Sequence, residues 1–231
     1  MLLVRLSGHS GAGKSRLLAA LPRYDITCPR VVRYTSRLAR DDEQHGKDYY
    51  FVSRAAIAAL PSRDFYVGPV REMLQAVDLS QLEIDLWSSN LVMVEIFPDL
   101  WPGLLQRLEE RMRCSIPNTS VFMTAVHQEM ILALPEQSRR QFIQSEVERI
   151  LLWRGKDAPD KVRIRAKSAV NEILTAISPE GSQQYARILD SSPEGPDGED
   201  EWTKEAGPVG DARRVLDEFI AFYASMTYNL S

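Results

Sequence analysis

Cysteine is nearly absent from this 231-residue chain: Cys28 and Cys114 are the only two, too few for a disulfide scaffold and suited to a reducing compartment. Twelve glycines and thirteen prolines exclude a collagen-like or low-complexity chain. His9, His45 and His127, the three histidines, lack metal-ligand spacing with one another or with the cysteines, which argues against zinc. No apolar run approaches the roughly eighteen residues of a membrane span. Met1 to Leu6 lacks the charged and apolar regions of a secretory leader, so the expectation is a cytoplasmic protein with no membrane partner. There is no internal repeat. What remains is an ordinary globular composition, 44% hydrophobic and 26% charged, able to bury a sizeable core. A net charge of -4 argues against a chain built mainly to coat nucleic acid.

Charge is uneven along the chain. Arg30, Arg33, Arg37 and Arg40 crowd one segment and Arg139, Arg140, Arg149, Arg154, Arg163 and Arg165 another, while Asp190 to Glu205 holds seven acids against one Lys. Arginine suits planar, bidentate phosphate binding, so the bias matters if a phosphate site lies nearby. One is written at the start. Leu2 to Leu6 reads as a buried strand, Gly8-His9-Ser10-Gly11-Ala12-Gly13-Lys14-Ser15 follows, and Arg16 to Leu21 reads as a helix stopped near Pro22. This is G-x-x-x-x-G-K-[ST] between a strand and a helix. Its glycines let backbone N–H groups wrap phosphate, Lys14 reaches the outer phosphates and the Ser15 hydroxyl holds magnesium. The motif implies a nucleoside triphosphate with Mg2+ and leaves open which, since ATPases, GTPases and small-molecule kinases share it, with Gly8, Ser10, Gly11, Ala12, Gly13, Lys14, Ser15 and Arg16 as the nucleotide-binding stretch. His9, in a free position of the motif, is expected to face solvent or a neighbouring phosphate.

Tyr34-Thr35-Ser36-Arg37-Leu38-Ala39-Arg40 through Glu43 and Gly46 to Asp48-Tyr49-Tyr50-Phe51-Val52 resembles the acceptor-binding segment of guanylate kinases, T-T-R-x-x-R-x-x-E-x-x-G-x-D-Y-x-F-V, without a gap and with Ser36 at the second Thr. The resemblance implies that Arg37, Arg40 and Tyr49 hold an acceptor phosphate and that Glu43 orders the arginines. Independently of any family, two arginines three residues apart can converge on one dianion. Trp153-Arg154-Gly155, then Arg165 and Glu172, reproduce the intervals of that family's lid, which implies that Arg154 and Arg165 close over the migrating phosphoryl group. Arg163, two residues from Arg165, would point elsewhere on a helix. The fold implied is α/β: a P-loop kinase three-layer fold with a parallel central sheet, an acceptor-binding lobe and a helical lid. Residues 1-231 would form one domain, with core 1-30, 91-135 and 185-231, lobe 31-90 and lid about 136-180.

Two departures stand against the family pattern. Leu91 to Phe97 resembles its L-E-I-D strand, with Glu95 at the Glu but Phe97 at the Asp, which leaves Glu95 alone or Asp99 displaced by two residues. The stretch that reads guanine is not recognisable in Asp64 to Leu79, where Arg71 could instead ligate phosphate and Gln75 could address a base edge or sugar. Asp190 or Ser191 stands where an Asn beside the adenine is expected. Asp99 to Arg113, Glu136 to Trp153 and Asp211 to Ala224 read as helices, Ser120 to Ala125 as a strand, Ser191 to Gly210 as an exposed loop, and Met123 and Met130 as core. The activity expected is ATP-dependent phosphoryl transfer to the phosphate of a nucleoside monophosphate, GMP-like or modified. Three alternatives stay open. One is a kinase of another phosphorylated acceptor such as ribose bisphosphate, whose kinases carry the R-Y-x-T-R that Arg33 to Arg37 resembles. The others are a non-catalytic binding module and a kinase acting on nucleic acid.

Overall fold

The computed structural model describes residues 1–40, 43–70, 72–190, 192 and 199–228. In chain order these form β1 (Leu2–Gly8), α1 (Lys14–Ala20), β2 (Arg33–Thr35), β3 (Tyr49–Phe51), α2 (Arg54–Ala58), β4 (Phe65–Val70), β5 (Met73–Asp78), α3 (Leu79–Ser88), β6 (Leu91–Glu95), α4 (Trp101–Met112), β7 (Asn118–Thr124), α5 (Gln128–Leu132), α6 (Glu136–Trp153), α7 (Pro159–Ile177), α8 (Pro179–Ser182), β8 (Arg187–Asp190) and α9 (Gly210–Tyr228). A four-stranded parallel sheet has the order β6-β1-β7-β8, as expected for the mixed α/β class. Strands β1 and β6 are buried because parallel sheets are covered on both faces: Leu2 to Leu6, Arg5 included, and Leu91 to Val94 are buried throughout. No described helix is long and apolar enough to cross a membrane. Contacts divide the chain into two compact units, Met1–Arg5 with Thr27–Asn118 and Leu6–Ile26 with Thr119–Ser231, and the division falls inside β1.

In the first unit, a second sheet of order β3-β2-β5-β4 carries the acceptor segment. β2 runs parallel to β3 in the register Arg33↔Tyr49 and antiparallel to β5 in the register Thr35↔Gln75. Side chains at i and i+2 share a strand face, so this register brings Arg33, Tyr49, Thr35 and Gln75 to one side. α3 begins where Asp78 accepts from the backbone N–H groups of Ser80 and Gln81, at 2.9 and 3.0 Å. α4 starts two residues later than its sequence pattern suggests, because Pro98–Leu100 forms a single 3-10 turn first. Its Trp101, Leu104 and Leu108 are buried at helical spacing against Leu82, Leu86 and Val92. Fully buried Leu104 and Leu108 contribute about 2 kcal/mol each.

The second unit has its own core. Ile143, Val147 and Leu151 of α6 pack with Val162, Ala166 and Val170 of α7, and the alanines of α7 let the two helices approach closely. α6 has the limits expected from its sequence, Glu136–Trp153. β7 pairs in parallel with β8 in the register Val121↔Arg187 to Thr124↔Asp190. Met123 is buried as expected, whereas Met130, on the outer side of a five-residue helix, is 51% exposed and belongs to no core.

Candidate functional site

The second unit holds the phosphate-binding loop. β1 delivers the chain to Gly8, whose φ of +141° leads directly under β7: a Cβ there would stand 2.2 Å from the main-chain oxygen of Met123. Only glycine fits. Gly11 and Gly13, at φ +92° and +87°, then turn the backbone into α1 through conformations that L side chains avoid. Lys14 Nζ donates to the carbonyls of Gly8 and His9 at 2.7 and 3.0 Å, so the ammonium lies along the loop.

His9 does not face solvent. It is 1% exposed, its Nε2 accepts from the N–H of Ala125 at 3.0 Å, and its Nδ1 lies 2.7 Å from the Ser10 carbonyl. An acceptor at Nε2 places the proton on Nδ1, which donates to Ser10. Burial, with the Lys14 charge added to it, pulls the imidazole down to about 3, so it stays neutral. His9 therefore pins the loop to the end of β7, a tether that the free position in the motif did not reveal.

The arginines whose spacing resembles the family's lid are placed differently from one another. Arg154, at the C-terminal cap of α6, brings Nη1 to 3.6 Å from the point a Cβ on Gly11 would occupy. Arg165 pairs through Nη1 with Asp157 Oδ2 at 2.5 Å, a partner the spacing argument did not name. Arg163 is exposed. Arg16 forms an ion pair with Asp200 and lies 5.8 Å from the ring centroid of Trp153. Ser15 is exposed at the first turn of α1.

The residues present fit ATP and magnesium. The loop turns at positive φ through Gly8, Gly11 and Gly13 and carries a lysine and a hydroxyl. No group of three or more His, Cys, Asp or Glu among the described residues is placed to hold a metal ion.

The first unit holds a cluster of arginines paired with acidic and aromatic side chains. Arg37 donates from Nη1 and Nη2 to the two oxygens of Glu43 at 2.5 and 2.6 Å, a bidentate pair. Glu43 also accepts from the Arg40 backbone at 2.9 Å and from Arg40 Nη1 at 3.2 Å. Burial pushes the Glu43 carboxyl up, and the bonds from Arg37 and Arg40 more than reverse this, leaving it below the usual carboxylate range. Arg37 lies 4.9 Å from the Tyr49 ring centroid and 5.3 Å from that of Phe51, so aromatic faces also hold its guanidinium.

Beside it stands Arg33, which the sequence singled out only as part of a basic run. Its side chain is 9% exposed, and its Nη2 donates to the Tyr49 hydroxyl at 2.7 Å. Nη1 lies 3.4 Å from Gln75 Oε1, and Nη2 is 3.5 Å from Glu95 Oε2. Arg33 thus joins three residues named separately from the sequence, Tyr49, Gln75 and Glu95, across 16 to 62 positions of chain. Ser36 is structural: its hydroxyl accepts from the Leu74 N–H at 2.9 Å. Asp99 is exposed, and Phe97 caps the turn before α4. Arg71 lies outside the described residues.

Comparison with known proteins follows the same lines. The family profile described as guanylate kinase matches residues 1–69. The guanylate kinase of Pasteurella multocida is 30% identical over 174 residues, spanning 73% of this chain and 72% of that protein. That of Blochmanniella floridana is also 30% identical over 174 residues, spanning 74% and 73%. This chain belongs to the guanylate kinase family. It is a nucleoside monophosphate kinase-like enzyme. A crystal structure of guanylate kinase from Anaplasma phagocytophilum shares the fold, with TM-score 0.53 and 20% identity over 97% of this chain and 85% of that one.

Against the guanylate kinase pattern, the segment after β8 differs most from expectation. Asp190 is committed within the protein. It accepts from the Gln128 N–H at 2.8 Å and lies 3.4 Å from His127 Nδ1 and 3.2 Å from Arg214 Nη2. Ser191 lies outside the described residues. The following stretch is not simply an exposed loop, because Glu201 and Trp202 are 7% and 6% exposed. Glu201 Oε2 accepts from the first free N–H groups of α9, those of Asp211 and Ala212, at 2.7 and 3.1 Å. The acidic, Gly- and Pro-rich composition concealed this, since it resembles that of solvated loops.

Proposed function

We propose that the protein is an ATP-dependent kinase that moves the γ-phosphoryl group of ATP to the phosphate of a nucleoside monophosphate. The observation that carries the reading is the Arg37–Glu43–Arg40 array beside Arg33 and Tyr49. Glu43 holds two guanidiniums close together, and a Tyr hydroxyl lies within the same cluster, a donor set suited to one phosphate dianion. An intact glycine loop with Lys14 in the same chain supplies the donor side.

In this reading Gly8, Ser10, Gly11, Ala12 and Gly13, with the start of α1 through Arg16, present backbone N–H groups to the α- and β-phosphates. Lys14 swings from the loop carbonyls to the β- and γ-phosphates. The Ser15 hydroxyl would hold magnesium, which would supply charge neutralisation for phosphoryl transfer. Arg37, Arg40 and Tyr49 hold the acceptor phosphate in line, and Glu43 fixes the arginines. Arg154 and Arg165 place positive charge beside the migrating phosphoryl group and help to exclude water. No general base is needed, because the attacking oxygen belongs to an already ionised phosphate. Gln75 and Glu95, tied to Arg33, address the sugar or base side of the acceptor. With Phe97 at the family's Asp position, guanine must be read differently if it is read at all.

The test is coupled ADP release with ATP and magnesium against GMP, dGMP, the other nucleoside monophosphates and ribose bisphosphate. Turnover with one or more nucleoside monophosphates is expected. Silence on all of them would overturn the reading, and activity on ribose bisphosphate alone would replace the acceptor class.

A further inference from the structure

We propose that Trp202 is a ligand of the donor nucleotide, its indole N–H donating to a phosphate oxygen held by the glycine loop. The inference rests on the reading above that this loop holds the donor's phosphates. Trp202 is 6% exposed, yet its Nε1 has no hydrogen-bond partner among the described residues. A buried donor left unmade costs free energy, and buried side-chain donors are nearly always paired. Nε1 lies 3.7 Å from the point where a Cβ on Gly13 would stand, the residue immediately before Lys14. What it lacks is an acceptor, and the ligand class that such a loop takes is rich in acceptors.

The segment that carries Trp202 is fastened at several points, so the indole is positioned rather than loosely packed. Asp200 pairs with Arg16, next to Ser15, and its Oδ1 accepts from the Trp202 backbone N–H at 3.0 Å. The Glu201 carboxylate caps α9, and the Glu201 carbonyl accepts from the Val209 N–H at 3.0 Å. Clamped on both sides, the ring itself is held in place, and because Nε1 is fully buried a phosphate oxygen reaches it only once the groups covering it move aside.

Two variants and one nucleotide test this. Trp202→Phe keeps an aromatic ring and deletes the donor; Trp202→Ala deletes both. Calorimetric titration with Mg-ADP should show Trp202→Phe binding roughly five- to tenfold more weakly than the wild type. Its melting temperature should be unchanged or raised, because an unpaired buried donor is gone. In the wild type, the indole 1H–15N resonance that Trp202→Phe lacks should move on adding Mg-ADP. If Trp202→Phe binds Mg-ADP like the wild type, the N–H is not a ligand and the proposal falls, even if Trp202→Ala binds weakly, since the ring alone would then be responsible. If the wild type itself fails to bind Mg-ADP, the donor-site reading falls and this inference falls with it.

Discussion

On the proposed reading, the phosphate-binding loop and the acceptor cluster recognise the same chemical group by different means. In the loop, backbone conformation is decisive: Gly8, Gly11 and Gly13 occupy positive φ, and one added methyl at Gly8 would collide with the main chain of β7. In the acceptor cluster, side chains do the work, and each cation is held by a partner, Arg37 and Arg40 by Glu43 and Arg33 by Tyr49, Gln75 and Glu95. A backbone site tolerates no substitution at its glycines but asks little of its neighbours. A side-chain site is adjustable, since changing one partner redirects a guanidinium without rebuilding a strand. That difference explains why the donor side of a kinase can stay constant while the acceptor side drifts, as Phe97 and the altered stretch around Gln75 indicate.

Four experiments break or sharpen the contrast. Lys14→Ala should lower kcat by about 10^3-fold while the melting temperature stays within a degree or so, because the ammonium acts on charge rather than on packing. Wild-type-like turnover in steady-state assays of that variant would contradict the donor assignment. Gly8→Ala should act through the fold instead, destabilising by about 3 kcal/mol or more in denaturant titration, the sum of a strained φ and a backbone clash. On the acceptor side Glu43→Gln should raise the acceptor KM about tenfold with the ATP KM unchanged, since the arginines lose their ordering charge and remain present. An equal rise in both KM values would remove Glu43 from the acceptor site.

The smallest effect is one of pH. Bonds to Asp190 and then to Asp211 push His127 up to about 10, from a reference near 6.5. A group raised in the folded state contributes its full stability below the unfolded value and loses it as pH rises through the folded one. Melting temperature should therefore decline between about pH 6.5 and 10, and His127→Gln should flatten that decline and also soften the acidic limb, because His127 is the first of the bonds that hold the Asp190 and Asp211 carboxyls below the usual range. A wild-type melting profile with no slope in this window would exclude the linkage.

How far each site could be read from sequence follows from the same distinction. The loop occupies consecutive residues with obligatory glycines, so strand, turn and helix were legible together. Arg37, Arg40, Glu43 and Tyr49 fall within one short segment and were legible as a pattern. Arg33 was not, because its contacts to Gln75 and Glu95 depend on strand register in a sheet that pairs β2 with β3 and β5. His9 and Trp202 escaped for a related reason. The partner of His9 is a backbone amide more than a hundred residues away, and Trp202 lies in a stretch whose acids, Gly and Pro read as solvated although Asp200 and Glu201 are anchored.

On the proposed reading, donor and acceptor phosphates are held by separate sets of residues, the loop for one and the arginine cluster for the other. Steady-state kinetics of Arg37→Ala test it most directly. The account predicts that the acceptor KM rises on the order of 10^2-fold while the ATP KM stays at the wild-type value. A variant in which the ATP KM rises and the acceptor KM does not would contradict it.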